Sequence, residues 1–178
     1  MKLEITKRGS KEFYDEVLYV ISKYKDIIND SNIKIHGLRR DSINLGLVSL
    51  LFSIICFLMY FFNKNNDIIL YVGYFFIFLI ILSIIYYFII VNRINKLRDP
   101  EDKIIIKFDT NKIYYSRSSA KYNIKWEELK YILFNKYSIN FIPKDKNNIL
   151  LSISTEYKEQ VLEAINKYKY SNLIIEKV

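Results

Sequence analysis

Few side chains in this chain could carry out acid–base or covalent chemistry. Two pairs of adjacent carboxylates, Asp15-Glu16 and Glu127-Glu128, are the best candidates for general acid–base work. Each pair falls where a helix or a turn is predicted to begin. Acidic residues are favoured there because they interact with backbone N–H groups that lack a partner. Helix-end and turn chemistry therefore explains both pairs better than catalysis does.

The other reactive side chains are equally poor candidates for a catalytic site. The one histidine, His36, lies among basic residues, and the one cysteine, Cys56, lies within an apolar run. A disulfide within one chain is impossible, and the usual spacings of zinc ligands or of a Cys–His pair are missing. No glycine follows Gly73, whereas loops that cradle phosphate need glycine. We therefore expect neither an enzyme, nor a cofactor, nor a metal centre.

Lysines at alternating positions indicate a candidate binding surface for anionic groups rather than a catalytic site. Lys103 and Lys107 share one face of a predicted strand, and Lys121 and Lys125 share one face of another. If these faces coincide, they form a basic patch for anionic lipid headgroups, worth up to about 1 kcal/mol per lysine. The alternative is an ordinary solvated outer face. For Trp126, which follows directly, we expect a place in the core, with ligand stacking as the alternative.

The charge of the chain is unevenly distributed. The net charge is +8, of which residues 1–42 carry +2 and residues 92–178 carry +6. Such a surplus suits an anionic membrane leaflet, and nucleic acid is the other usual partner. However, Ile, Lys, Asn and Tyr are all abundant together, a composition typical of AT-rich coding sequence. We therefore do not count the basic charge as a functional signal, and we expect no nucleic-acid partner.

Two apolar runs, residues 45–62 and 68–91, occupy the middle of the chain and contain no ionisable residue. As helices they would be about 27 and 36 Å long, against a hydrocarbon core of about 30 Å. They are apolar on all sides, whereas a core helix of a soluble protein has a polar stripe. The short link between them makes them antiparallel. The sequence therefore predicts a two-span transmembrane hairpin embedded in the lipid bilayer.

Basic residues flank the hairpin on the side of both chain termini. They are Arg39 and Arg40 before the first span and Arg93, Lys96 and Arg98 after the second. Basic flanks stay in the cytoplasm. We therefore predict a multi-pass protein of the cell (cytoplasmic) membrane with both termini inside.

Small residues line one face of the first predicted span. Gly46, Ser49 and Ser53 recur at helical spacing, and small residues let a second helix approach closely. Two spans without an ionisable residue offer no path for an ion. We therefore expect an anchor and not a channel, unless several copies associate as a homo-oligomer.

The N-terminal segment, residues 1–42, is predicted to hold a short strand at 1–6 and a helix at 11–29 with Ser10 as its N-cap. Apolar residues recur along the helix every three or four positions and form one stripe. Three interpretations compete: the stripe packs on the C-terminal domain, lies on the membrane surface, or binds a partner helix. We favour packing on the domain, because acidic residues are as frequent as basic ones on the opposite side, unlike in surface-lying membrane helices.

The C-terminal domain, residues 92–178, changes to alternation with a period of two. Six strands are predicted at 103–108, 113–117, 120–125, 129–135, 138–142 and 149–153, followed by a helix at 156–170 and a last short strand at 173–175. Six antiparallel strands before one helix predict a small β-barrel or roll closed by that helix. With the hairpin at 43–91, the fold class is membrane α+β.

Three stretches of this domain resemble the C-terminal domain of YcxB-like bacterial membrane proteins. They are Ile104 to Phe108, Ile113-Tyr114-Tyr115-Ser116, and Ile124-Lys125-Trp126-Glu127-Glu128-Leu129. The resemblance implies a short N-terminal helical region, a two-span hairpin and a domain related to pleckstrin-homology (PH) folds. It implies no particular activity.

We therefore expect a membrane protein that presents a PH-like domain at the cytoplasmic face and binds a protein or peptide partner there. About a dozen residues separate the second span from the domain, so the domain stays within roughly 40 Å of the spans. Binding of anionic lipid headgroups is the first alternative. The second is self-immunity against a membrane-active bacteriocin, which rests only on similarity of layout.

Overall fold

The structure is a computed structural model that describes residues 1–5, 9–30, 33–62, 67–97, 104–117, 120–145 and 150–176. The chain forms two compact units. One, the β unit, comprises Met1–Ile35 and Leu97–Val178, and the other, the helical hairpin, comprises His36–Lys96. The N-terminal segment and the C-terminal domain, which the sequence analysis treats as separate regions, thus belong to one unit.

The helical hairpin consists of α3 (Leu38–Phe62) and α4 (Asp67–Leu97). Both helices extend beyond the apolar runs, since α3 begins at Leu38 and α4 ends at Leu97. Extension is favourable because each added residue gains a hydrogen bond once a helix exists. The mean hydropathy is 2.5 for α3 and 2.9 for α4, and 11% of the most apolar window of each is buried. Both helices are therefore long and apolar enough to cross a membrane.

Small residues allow α3 and α4 to pack closely, as predicted for Gly46, Ser49 and Ser53. Ser49 and Ser53 are buried, and a Cβ atom on Gly46 would lie 2.8 Å from Oγ of Ser83. The hydroxyl of Ser42 donates a hydrogen bond of 2.7 Å to the carbonyl of Ser83. The prediction that this face meets the second helix is confirmed.

The β unit contains two four-stranded sheets. Sheet 1 has the order β1-β2-β3-β4, with β1 at Lys2–Ile5, β2 at Ile104–Phe108, β3 at Lys112–Arg117 and β4 at Ala120–Lys125. Sheet 2 has the order β7-β6-β5-β8, with β5 at Leu129–Phe134, β6 at Ser138–Pro143, β7 at Leu151–Ser154 and β8 at Ile174–Glu176. All six strands predicted between residues 103 and 153 are present.

The first and last strands complete the sheets in ways that local pattern did not predict. β1 pairs antiparallel with β2, with Leu3 opposite Ile106, so the helical hairpin is inserted in the chain between two neighbouring strands of one sheet. β8 pairs with β5 in parallel, with Ile132 opposite Ile174. Both pairings join residues far apart in sequence, which only the tertiary fold brings together.

The main core of the β unit lies between the two sheets and α5 (Lys158–Lys167). Trp126 is 1% exposed there, its indole N–H donates to the carbonyl of Asp109 at 2.8 Å, and its ring stacks on Tyr170 at 4.7 Å. Val161 and Ile165 of α5 are fully buried in the same core. The expectation that Trp126 belongs to the core is confirmed.

Two short helices cover the other face of sheet 2. α1 (Lys11–Ser22) begins at the predicted cap, where Oγ of Ser10 accepts from the N–H of Phe13 at 3.0 Å. The single helix predicted to residue 29 is interrupted at Lys23, and α2 (Tyr24–Asn29) follows. A second apolar cluster joins these helices to the sheet and contains Val20, Ile27, Ile28, Tyr131, Leu133 and Ile142. The favoured interpretation, packing of the stripe on the C-terminal domain, is confirmed.

Polar contacts from β5 close the C-terminal end of α2. The ammonium of Lys130 donates to the carbonyl of Ile28, and the hydroxyl of Tyr131 donates to the carbonyl of Ile27. Carbonyls in the last turn of a helix lack intrahelical hydrogen-bond donors. The side chains of Lys130 and Tyr131 supply donors to two of these carbonyls. Burial, with the charge of Asp30 as a smaller cause, raises the pKa of Tyr131 to about 12.

Candidate binding face of sheet 1

Sheet 1 has an inner face that joins the core and an outer face that does not. The pairing registers and the alternation of side chains put ten residues on the outer face of sheet 1. They are Lys2, Glu4, Ile105, Lys107, Lys112, Tyr114, Ser116, Lys121, Asn123 and Lys125. Five of these ten are lysines and one is a glutamate, so this face is strongly basic.

A depression of about 440 Å³ lies in the outer face of sheet 1, which is the volume of a small ligand site. Eight residues of β2, β3 and β4 line it, among them Tyr115 and Tyr122. The other six belong to the outer face and form two rows of cross-strand neighbours. One row is Lys107, Tyr114 and Asn123, and the other is Ile105, Ser116 and Lys121. The short side chains of Ser116 and Asn123 lie among longer neighbours, which explains why the surface is concave here.

The lysines around the depression differ in their partners. Lys2 forms an ion pair with Glu4, and the ammonium of Lys125 lies 3.8 Å from the carboxylate of Glu128. Lys107 and Lys121 make no hydrogen bond or ion pair with any other described residue. Their charge is therefore free to act on a ligand.

Two of the residues that line the depression, Tyr115 and Tyr122, also contact the core. Tyr115 and Tyr122 lie opposite each other on β3 and β4, and their rings stack at 4.4 Å. Burial is the main cause that raises the pKa of Tyr122 well above its ordinary value, and the electrostatic effect of the neighbouring Tyr115 is a smaller cause. Both rings pack against the main core, so they attach β3 and β4, which carry the depression, to that core.

The basic residues predicted as a tentative binding face lie as follows. Lys107, Lys121 and Lys125 are all on the outer face of sheet 1. Lys107 and Lys121 line the depression, whereas Lys125 is outside it, in the next row beside Lys112. Lys103 lies outside the described residues.

The basic residues predicted to flank the membrane lie at the ends of the two long helices. Arg39 and Arg40 are in the first turn of α3, and Arg93 and Lys96 are in the last turns of α4. Arg98 lies outside the described residues.

The carboxylate pairs have structural partners. Glu16 was expected to act at a helix end, but it is 6% exposed. Its carboxylate accepts hydrogen bonds from the hydroxyl of Ser138 at 2.7 Å and from the N–H of Tyr137 at 3.1 Å. Burial raises the pKa of Glu16, and these hydrogen bonds oppose the rise. Glu128 accepts from the N–H of Lys125 at 3.4 Å, in agreement with the expected turn chemistry.

The sequence analysis did not predict six of the eight residues that line the depression: Ile105, Tyr114, Tyr115, Ser116, Tyr122 and Asn123. Alternation along β3 does assign Tyr114 and Ser116 to one face, together with Lys112. Their position between Lys107 and Lys121 depends on the register of three strands, however, and one residue of slip reverses the face. Composition alone gave no reason to prefer one register.

Among the described residues, no group of three or more His, Cys, Asp or Glu side chains could hold a metal ion. Comparison of the chain with models of protein families, with curated proteins and with solved structures finds no match.

Proposed function

We propose that this chain is an integral membrane protein that presents a PH-like interaction domain at the cytoplasmic face and binds a protein partner through the outer face of sheet 1. The observation that carries the proposal is the depression in that face, where Lys107 and Lys121 have no partner among the described residues. An exposed, concave surface with unpaired charge is typical of a binding site. Ser116 and Asn123 add further hydrogen-bonding groups on its floor.

The membrane part of the proposal rests on the exposure and length of α3 and α4. Large apolar side chains such as Leu51, Phe75 and Phe88 are more than half exposed along both helices. Water would disfavour so much apolar surface, whereas lipid accommodates it. Arg39, Arg40, Arg93, Lys96 and Arg98 supply the basic flanks that favour a cytoplasmic location for both termini.

The PH-like and YcxB-like assignment is part of the same proposal. An antiparallel meander in two sheets, followed by α5 packed on their common core, supports it. The three stretches of sequence that resemble the YcxB-like domain lie in β2, in β3, and across the β4–β5 junction. They therefore belong to the strands that bear the depression and to the turn that holds Trp126.

The test is cross-linking from the depression in native membranes. A photoreactive amino acid replaces Asn123 in the full-length chain, and the matched control carries it at Glu163, on α5. We expect a near-stoichiometric cross-link to one membrane or cytoplasmic protein from position 123 and none from position 163. Equal labelling from both positions, or no adduct from position 123, contradicts the proposal.

Binding of anionic lipid headgroups is the second candidate, because Lys107, Lys121 and Lys125 share one face. The test uses the full-length chain, since residues 100–178 alone lack β1 and the two helices that cover sheet 2. A fluorophore at position 123, with Cys56→Ser, should respond when anionic lipid replaces neutral lipid in the surrounding nanodisc. An identical signal in both lipids counts against this candidate.

A further inference from the structure

We propose that the depression in the outer face of sheet 1 binds an acidic side chain of the partner protein, with the carboxylate held between Lys107 and Lys121. This inference rests on the proposed function, which supplies a protein partner. It adds the chemistry that the partner presents and the residues that recognise it.

The register places the two lysines at a suitable separation. Lys107 on β2 and Lys121 on β4 are two strands apart and offset by two residues, on opposite sides of β3. With strands about 4.8 Å apart and about 3.4 Å per residue, their Cα atoms are about 12 Å apart. Each ammonium reaches about 6 Å on its four-carbon stem. Both can therefore contact one carboxylate above β3, between Tyr114, which lies opposite Lys107, and Ser116, which lies opposite Lys121.

The floor of the depression complements a carboxylate further. The hydroxyl of Ser116 and the amide of Asn123 are hydrogen-bond donors, and neither donates to a described residue. A carboxylate has about four lone-pair sites, of which two ammonium groups occupy two. The hydroxyl and the amide can serve the others, and hydrogen bonds to an ionised acceptor are the stronger kind.

The distribution of charge favours an inserted side chain over a flat membrane surface. Glu4 and Glu128 pair with Lys2 and Lys125 at the margins of the face, whereas Lys107 and Lys121 at the depression have no ion pair with a described residue. A bilayer attracts a broad polybasic surface, but a flat surface cannot fill a concavity. An acidic side chain, together with a neighbouring side chain of the partner segment, can enter the depression.

The walls of the depression favour a protein partner over a free anion. Ile105 and Tyr114 line it together with the lysines, and the ammonium of Lys112 lies 4.8 Å from the ring centroid of Tyr114. Tyrosine is enriched among the residues that dominate protein–protein binding energy. We therefore expect an apolar residue beside the acidic one in the partner segment.

The experiment measures peptide binding to the full-length chain in detergent micelles by fluorescence anisotropy. The probe is a fluorescein-labelled peptide of alternating Glu and Leu, and its counterpart has Gln in place of Glu. We expect the Glu peptide to bind and the Gln peptide not to bind. The double variant Lys107→Glu, Lys121→Glu should weaken binding at least tenfold. The matched control, Lys112→Glu with Lys125→Glu, changes the same charge on the same face and should weaken binding less than threefold.

Several outcomes overturn the inference. Equal weakening by both double variants would mean that the general positive charge of the face attracts the peptide. Equal binding of the Gln peptide would mean that the depression does not recognise a carboxylate. Displacement of the peptide by low millimolar inorganic phosphate would assign the depression to a phosphate ligand. If position 123 still cross-links to a partner while the Lys107→Glu, Lys121→Glu variant cross-links equally well, the proposed function stands and this inference fails. The emission spectrum of Trp126 verifies that each variant is folded.

Discussion

Glu16 is the buried residue whose replacement tests the packing of α1 on sheet 2 most directly. Its carboxylate accepts from the hydroxyl of Ser138 and the N–H of Tyr137. Ser138 in turn accepts from the side-chain amide of Asn140 at 2.9 Å, and Asn140 accepts from the hydroxyl of Ser152 at 2.6 Å. Glu16 thus connects α1 to a buried polar network across β6 and β7. We compare two variants, Glu16→Ala and Glu16→Gln.

The two variants should differ clearly in stability. Glu16→Ala leaves the Tyr137 N–H and the Ser138 hydroxyl without their acceptor, and each buried unsatisfied group costs about 1–3 kcal/mol. Removing the buried carboxylate relieves part of this cost, so we expect a net loss of about 3 kcal/mol. That is a large part of the usual total of about 5–15 kcal/mol. Glutamine keeps an acceptor oxygen for both donors, so Glu16→Gln should lie within about 1 kcal/mol of the wild type.

The pH dependence provides a second, independent comparison. Because burial raises the pKa of Glu16 in the folded state, the folded protein holds the proton more tightly than the unfolded chain, in which the pKa is about 4.3. The resulting stabilisation is complete below that value and is lost as the pH rises through the raised pKa. Glu16→Gln cannot titrate. The stability of the wild type relative to Glu16→Gln should therefore fall as the pH increases from 4 to 8.

Trp126 provides the assay. It is the only tryptophan of the chain and is buried in the same unit as Glu16. Its emission in detergent micelles reports denaturant unfolding of the β unit, and the helical hairpin does not contribute. The reasoning is refuted if Glu16→Gln loses as much stability as Glu16→Ala. A wild-type stability that rises with pH relative to Glu16→Gln would refute the assigned direction of the pKa shift.

Three further outcomes are expected. Trp126→Phe should destabilise the β unit by about 1–2 kcal/mol, measured by near-UV circular dichroism, because the carbonyl of Asp109 loses its donor and the smaller ring leaves a cavity. Tyr131→Phe removes the hydroxyl that donates to Ile27 and should cost about 1 kcal/mol by Trp126 emission, with faster amide hydrogen exchange confined to α2. Gly46→Leu should separate α3 from α4, because even a Cβ at this position lies 2.8 Å from the neighbouring hydroxyl, and spin labels on the two helices would report a longer distance. An unchanged distance would contradict this account of the packing.

The fold was predictable wherever local pattern carries the information. The period-two alternation after residue 103 located six strands, and the stripe on α1 and α2 identified the side that packs on sheet 2. The interruption at Lys23 was not predictable, because the apolar spacing continues across it. Pairing of β1 with β2 and of β8 with β5 was also beyond local reasoning, since each pairing depends on residues far away in the chain.

The candidate site was predictable only in part. Alternation assigned Lys107 to one face of its strand and Lys121 to one face of another, but it could not relate the two strands. The register across β3 puts Tyr114 opposite Lys107 and Ser116 opposite Lys121, and it places Lys125 in the next row. The burial of Glu16 was also not predictable, because its position near the start of a helix indicated an exposed side chain. Its hydrogen bonds to Tyr137 and Ser138 depend on how α1 packs on sheet 2.

The sequence by itself determined the properties that depend on composition and short-range periodicity: two apolar helices long enough to cross a membrane, a β-rich domain closed by a helix, and a surplus of positive charge around them. Only the tertiary structure decided which strands are neighbours and which lysines keep an unpaired charge beside a concave surface. The physical reason is that side-chain direction along a strand follows from the backbone alone. The distance between side chains on different strands instead follows from a register that the whole core selects.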